Sequence, residues 1–147
     1  MSHDKQEEML RLDNQLCFAV YASAKAIVGA YRTELEKIGL TYTQYIALLA
    51  LWEKEEMTLK ELGRRLFLDS GTLTPMLKKM AAAGLLTRLR STTDERNMVV
   101  RLTEQGRALK SKVYSLPEQT LCASKLSLEE AVQLREQLKR LLHALQE

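Results

Sequence analysis

Nothing in this 147-residue chain is apolar for long enough to cross a bilayer as a helix, which takes roughly 18–20 residues. A helical membrane protein is therefore excluded. The first eight residues, Met1 to Glu8, are polar and mixed in charge, with no apolar secretion core. The expected location is the cytoplasm, where thiols are mostly kept reduced. Histidine is scarce: His3 and His143 stand near opposite ends, and neither has metal-ligand spacing with a cysteine. No metal centre is expected, no motif calls for a cofactor, and both histidines read as facing solvent. Cysteine is scarce too. Cys17 and Cys122 lie 105 residues apart, so there is no Cys-x-x-Cys redox motif, and a permanent disulfide does not suit the compartment. A transient one remains open. Gly71 stands alone and reads as helix packing, because one glycine is no phosphate loop. There is no repeat, low-complexity tract or interdomain linker.

What is present fits one folded domain, residues 1–147, with 46% hydrophobic and 28% charged residues. Net charge is only +3, but it is unevenly spread. Lys60 to Lys112 holds 12 basic and 5 acidic residues, while the rest holds 10 basic and 14 acidic. A basic middle between acidic flanks implies a polyanionic partner for the middle.

Helical periodicity predicts a long first helix over about 5–38, with Met9, Leu12, Leu16, Ala19, Val20 and Ile27 on its apolar side and Gly39 as its stop. Thr41 and Gln44 have capping-box spacing before a second helix, as do Thr58 and Glu61 before a third. Another helix follows Asp69-Ser70 and runs to about Ala83, with Gly84 as its C-terminal cap and Pro75 in its first turns. Met76 and Met80 belong to its core side. The period then changes: Leu85–Arg90 and Met98–Leu102 read as two strands joined by a polar tip, Ser91 to Asn97. Thr103 caps a helix to about Tyr114, Pro117 breaks it, and Ser127 with Glu130 opens the last helix.

Helix, tight turn, helix, then a charged hairpin is the order of a winged helix-turn-helix, here about 58–102. The fold class is mainly α with a small β-hairpin wing. The second helix of the pair would lie in a major groove of double-stranded DNA. Its early positions, Ser70, Thr72 and Thr74, are short and polar, and Lys78 and Lys79 follow to neutralise phosphates. The hairpin carries Arg88, Arg90, Arg96 and Arg101. An arginine at its tip can enter a minor groove, and Asp94 is placed to orient Arg96 through a bidentate pair. The terminal helices, about 5–38 and 104–146, carry more apolar surface than one reading unit can bury. A homodimer would cover them and set two reading helices about 34–36 Å apart on a pseudo-palindromic operator.

The run Leu68-Asp69-Ser70-Gly71-Thr72-Leu73-Thr74-Pro75-Met76-Leu77-Lys78-Lys79-Met80, followed by Gly84-Leu85-Leu86 and Asp94-Glu95-Arg96, resembles the MarR family of winged-helix repressors. Asp13-Asn14-Gln15-Leu16-Cys17-Phe18 and Leu40-Thr41-Tyr42-Thr43-Gln44-Tyr45 narrow it to the organic-hydroperoxide resistance regulators. The resemblance implies a reactive cysteine at Cys17, hydrogen-bonded by Tyr31 and Tyr42, some donors coming from the other subunit, with Tyr21 lining the same pocket. It also implies a second cysteine, Cys122, that forms a reversible intersubunit disulfide with the first.

The chemistry agrees with the residues. A hydroperoxide oxidises a thiolate, so the Cys17 anion must be stabilised, and tyrosine hydroxyls can donate to it. An apolar pocket of Phe18, Tyr21 and Trp52 would favour organic hydroperoxides. The expected function is a redox-sensing repressor, released from operator DNA by oxidation and restored by a cellular thiol reductant. Two other functions stand beside it: a repressor released by a small aromatic ligand, and a thiol peroxidase. The chain offers the peroxidase no convergent arginine site near Cys17, and the expectation is that it is not an enzyme.

Overall fold

The computed structural model describes residues 2–90 and 98–147. It divides into two compact units, Met1–Lys110 and Ser111–Glu147.

Periodicity predicts one helix from Lys5 to Ile38, but the first unit opens with two. α1 (His3–Met9) ends at Leu10, a 3-10 turn spans Leu12–Asn14, and α2 (Leu16–Glu36) follows. The break is local chemistry. Asn14 Nδ2 donates to the Glu8 carbonyl at 2.8 Å and Gln15 Nε2 to the Met9 carbonyl at 2.6 Å. These amides occupy carbonyls at the end of α1, the groups a terminating helix leaves unpaired. Gly39, at φ 74°, stops the chain after α2, where the Leu40 N–H returns to the Leu35 carbonyl at 3.0 Å.

α3 (Tyr42–Glu53) starts with the expected capping box: the Gln44 N–H donates to Thr41 Oγ1 at 3.2 Å, and the Thr41 N–H to Gln44 Oε1 at 3.0 Å. Ala47, Leu48 and Leu51 of α3 are fully buried and make it the centre of the core, with Leu35 of α2. A short strand that the sequence pattern does not announce, β1 (Glu56–Thr58), leads into α4 (Leu59–Leu66). Thr58 Oγ1 caps α4 by accepting from the Glu61 N–H at 3.1 Å. The Glu61 carboxylate turns to Lys54 at 3.2 Å, so this cap is not the reciprocal box its spacing suggests.

Phe67, at φ 55°, makes the tight turn to α5 (Ser70–Ala82), whose cap Asp69 accepts from the Thr72 N–H at 2.7 Å. Pro75 lies deeper in α5 than its first turn, where a missing N–H does remove one bond of the ladder. Gly84, at φ 80°, ends α5, and the Leu85 N–H closes on the Met80 carbonyl at 3.0 Å. Met76 and Met80 are buried, as the pattern predicts.

β2 (Leu86–Arg90) and β3 (Met98–Leu102) form the hairpin, pairing Leu86 with Leu102 and Arg90 with Met98. β1 adds to the other edge of β3, pairing Met57 with Val100, so the sheet order is β1-β3-β2. The helix predicted from Thr103 to about Tyr114 is shorter: α6 (Glu104–Ala108) passes into a 3-10 turn at Leu109–Lys112. Gly106 lets α6 sit on the base of the hairpin. A Cβ there would fall 2.1 Å from the Leu85 carbonyl oxygen and 2.8 Å from Leu102 Cδ1.

The second unit holds α7 (Leu116–Ser124) and α8 (Leu128–Ala144). Pro117 stands at the start of α7, where its fixed φ begins a helix. Ser127 and Glu130 form the predicted capping box of α8, with bonds of 3.1 and 2.7 Å.

Candidate functional site

The helix pair α4–α5 followed by β2 and β3 is the winged helix-turn-helix that the order of elements predicts. α5 is two-sided. Leu73, Met76, Leu77 and Met80 are buried, while Ser70, Thr72, Lys78 and Lys79 are exposed and Thr74 is half-buried. Strand alternation puts Arg88 and Arg90 on the same face of the hairpin as Leu86. Asp94 and Arg96 lie outside the described residues.

Salt bridges sort the basic residues into two groups. Lys54 is held by Glu61, Arg65 by Glu53, Arg101 by Glu56 at 2.6 Å, and Arg107 by Glu55 at 2.6 Å and Glu104 at 3.3 Å. The hydrogen bond from Arg107 to Glu55 strengthens the hold of that guanidinium on its proton. Among the described residues, Lys78, Lys79, Arg88 and Arg90 have no carboxylate partner. Arg101 counts with the hairpin arginines in sequence, but its register opposite Glu56 ties it into the sheet. α5 and β2 thus each carry basic side chains that no described carboxylate neutralises.

Cys17 is the second residue of α2 and is exposed. The side chain of Gln15, the N-cap, does not cap the first-turn N–H groups, because it is bonded to the Met9 and Arg11 carbonyls instead. The first-turn N–H groups of the 21-residue α2 therefore have no side-chain cap from its N-cap residue. Phe18 is 40% exposed and Tyr21, one turn after Cys17, is 60% exposed, with Lys25 Nζ 5.3 Å from its ring centroid.

The tyrosines gather at the other end of α2. The rings of Tyr31 and Tyr42 meet edge to face, 5.5 Å between centroids. Tyr45, the last residue of the Leu40-Thr41-Tyr42-Thr43-Gln44-Tyr45 run and given no role in the site from sequence, is the third ring, 5.6 Å from Tyr31 and 6.1 Å from Tyr42. Its spacing from Tyr42, three residues on one helix, is the signal that could have joined it to the pair. Tyr31 and Tyr42 are half-buried, and among the described residues neither hydroxyl has a hydrogen-bond partner. Burial raises the pKa of Tyr42, and the Tyr31 phenol adds to it. Tyr45 is pushed up to about 12, by burial first and then by Tyr31 and Tyr42. The Tyr42 and Tyr45 hydroxyls stay protonated at neutral pH and able to donate. A hollow of about 340 Å³ lies beside Tyr42, lined also by Val28, Arg32, Glu36 and Leu40 among others.

Cys17 and Tyr31 are on one continuous helix, fourteen residues apart. At 1.5 Å per residue that is about 21 Å, or nearly four turns. Within one chain the cysteine and the tyrosines do not meet. Trp52 is not at the thiol either. Its indole N–H donates to the Gly106 carbonyl at 3.0 Å, at the end of α3 opposite Tyr42, under the wing. Cys122 is exposed on α7 in the second unit. Large apolar side chains stay uncovered in both units: Met9, Leu12 and Leu16 in the first, Leu128, Leu134 and Leu138 in the second.

Comparison with known proteins bears on the assembled picture. The family model of the transcriptional regulators SarA/Rot matches residues 30–113. The organic hydroperoxide resistance transcriptional regulator of Bacillus subtilis (strain 168) is 49% identical over 136 residues, covering 92% of each chain. Among solved structures, reduced AbfR bound to DNA (AbfR is from Staphylococcus epidermidis) matches at a TM-score of 0.79 and 38% identity, over 97% of this chain and 99% of that one. Disulfide-formed AbfR matches at 0.67 and 36%, over 99% and 100%. The fold superposes better on reduced AbfR bound to DNA, and almost equally on overoxidized AbfR bound to DNA at 0.78, than on the disulfide-formed protein.

Proposed function

The chain belongs to the winged-helix transcriptional regulators of the SarA/Rot and organic-hydroperoxide-resistance type, and from that premise we propose that it is a cytoplasmic repressor whose hold on operator DNA is ended by oxidation of Cys17. The observation that carries this reading is the arrangement around α2: an exposed cysteine in its first turn, Tyr31 about 21 Å further along the same helix, and Tyr42 of α3 packed against Tyr31, with neither hydroxyl hydrogen-bonded among the described residues. Two chains running in opposite directions bring the thiol of one to the tyrosines of the other. The uncovered apolar residues of the terminal helices supply the surface for such a homodimer.

In the reduced dimer each α5 enters a major groove of a pseudo-palindromic operator. Ser70, Thr72 and Thr74 approach base edges and phosphates, Lys78 and Lys79 neutralise phosphates, and the wing follows with Arg88, Arg90 and Arg96, the last oriented by Asp94. An organic hydroperoxide is the oxidant. The Cys17 thiolate, held by Tyr31 and Tyr42, attacks the terminal peroxide oxygen. The O–O bond breaks, an alcohol leaves after taking a proton, and the sulfur becomes a sulfenic acid. The Cys122 thiolate of the partner then attacks that sulfur, the S–O bond breaks, water leaves, and a disulfide forms. The two Cα atoms must come within about 7 Å for this bond, so helices move and carry the reading heads with them. A cellular thiol reduces the disulfide and restores the repressor. Phe18 and Tyr21 line the path of the organic group.

The test is a non-reducing denaturing gel after one equivalent of cumene hydroperoxide, alongside operator binding. A reductant-sensitive dimer band, absent in Cys17→Ser and in Cys122→Ser, is the expected result, with Cys17→Ser still bound to DNA. Release of Cys17→Ser by the peroxide would place the sensor elsewhere. One observation favours a second reading, a repressor released by a small aromatic ligand: the hollow beside Tyr42 and Arg32 could hold one. Peroxide-independent release by such a ligand would support it. A thiol peroxidase is not proposed, because the family is one of transcriptional regulators, not enzymes.

A further inference from the structure

Tyr31 and Tyr42 reach the tyrosine cluster from different helices, α2 and α3, and Tyr42 is the first residue of its helix. A helix end frays more readily than its middle. Two phenols so placed would turn independently unless something fixed both. Tyr45 is in contact with both. It follows Tyr42 by one turn on the same face of α3, its residue is 3% exposed, and its ring lies tilted at 31° to Tyr31 and at 55° to Tyr42. Aromatic pairs favour such tilted and edge-on geometries at centroid distances of about 4.5–7 Å. Buried as it is, Tyr45 is the floor of the cluster.

We infer that Tyr45 is a positioning residue of the thiol site: its buried ring fixes the rings of Tyr31 and Tyr42, and so holds both hydroxyls where an incoming thiolate meets them together. The inference rests on the proposed donor role of Tyr31 and Tyr42. Burial pushes the Tyr45 pKa up to about 12, so at neutral pH the floor adds no negative charge beneath the anion. The ring does the holding; the hydroxyl is dispensable.

The experiment measures the rate of Cys17 oxidation by cumene hydroperoxide against pH in the full-length protein, with Tyr42→Phe as the reference. Tyr45→Phe keeps the ring and should keep the wild-type rate and pH profile. Tyr45→Leu and Tyr45→Met remove the ring. Both should oxidise at least about tenfold more slowly at neutral pH, the scale on which small misplacements cost rate. The acid side of their rate–pH profile should move to higher pH, while operator affinity in the reduced state stays at the wild-type value. A purely structural role would not move that profile. Met fills most of the space of the ring, so it decides the matter if the Leu variant does not fold. A normal profile in folded Tyr45→Met, or a slow Tyr45→Phe, overturns the inference. If Tyr42→Phe itself oxidises normally, the donor role fails and Tyr45 loses its part with it. If Tyr42→Phe is slow and Tyr45→Met is not, only Tyr45 is wrong.

Discussion

Mixing two inactive chains should restore one working sensor. One chain carries Cys17→Ser and keeps its tyrosines; the other keeps Cys17 and carries Tyr31→Phe with Tyr42→Phe. The reasoning is one of reach. α2 is unbroken from Leu16 to Glu36, so it holds Cys17 and Tyr31 about 21 Å apart, whereas side chains that touch along a helix are three or four residues apart. Tyr42 is at the same end as Tyr31, 5.5 Å from it ring to ring. The Cys17 thiol can meet these hydroxyls only across a dimer. In the mixed dimer the surviving cysteine faces the intact tyrosines of the other chain, and its site is wild-type. In the double-Phe homodimer both sites lack their donors. A hydrogen bond to a charged group contributes about 1.5–3 kcal/mol. Losing two should slow oxidation by roughly a hundredfold or more, at about 1.4 kcal/mol per factor of ten. The assay isolates the mixed dimer through two different tags and follows thiol loss after one equivalent of cumene hydroperoxide. Two thiols per dimer, Cys17 of one chain and Cys122 of the other, should disappear at the wild-type rate. A rate as slow as that of the double-Phe homodimer would refute the reasoning.

Four further outcomes follow from the structure. Lys78→Ala and Lys79→Ala should each lower the slope of log affinity against log salt by about 0.9, one phosphate contact apiece, in a fluorescence titration with operator DNA. Arg101→Ala should leave that slope unchanged because Glu56 already neutralises it, and an equal drop would mean the pair opens on DNA. Gly106→Ala should lower the thermal midpoint, by about 1–3 kcal/mol of overpacking, because its Cβ would sit 2.1 Å from the Leu85 carbonyl oxygen. An unchanged midpoint would contradict the close seat of α6. Tyr45 should be the last tyrosine to ionise. Its pKa rises from 10.0 to about 12 on folding, so the unfolded chain gives up the proton first. The stability this contributes is complete below pH 10 and lost as pH rises towards 12. Phenolate absorbance against pH checks it, with Tyr45→Phe lacking the last step; all five tyrosines titrating together near pH 10 would sink it.

The reading unit was legible because local chemistry builds it. Asp69 caps α5, Gly84 ends it in a left-handed turn, and the hairpin strands announce themselves by a change of period. What escaped was set by partners far away in sequence. β1 is three residues long and exists by pairing with β3, so no window around Met57 reveals it. Arg101 looks like its neighbours Arg88 and Arg90 until register puts it across from Glu56. Trp52 could be assigned to any apolar pocket until its N–H finds the Gly106 carbonyl, 54 residues on. The break after α1 was local but easily overlooked, since Asn14 and Gln15 act backwards on a helix already passed. At the thiol site, Tyr31 and Tyr42 came from resemblance, and periodicity alone makes Tyr45 one more core residue.

α3 is the element shared by the two halves of the proposed mechanism. Tyr42 and Tyr45 are in its first turn, and Trp52, near its last, is bonded to Gly106 at the base of the wing. Between them Ala47, Leu48 and Leu51 are fully buried, and α3 packs on α2, α4, α5 and β3. Twelve residues of helix make a rod of about 18 Å. A close-packed interior has little slack to absorb a displacement. The rod's far end is bonded through Trp52 to the carbonyl of Gly106, which sits close against Leu85. The thiol site and the wing can lie at opposite ends of the first unit and still be coupled, because one buried helix reaches both.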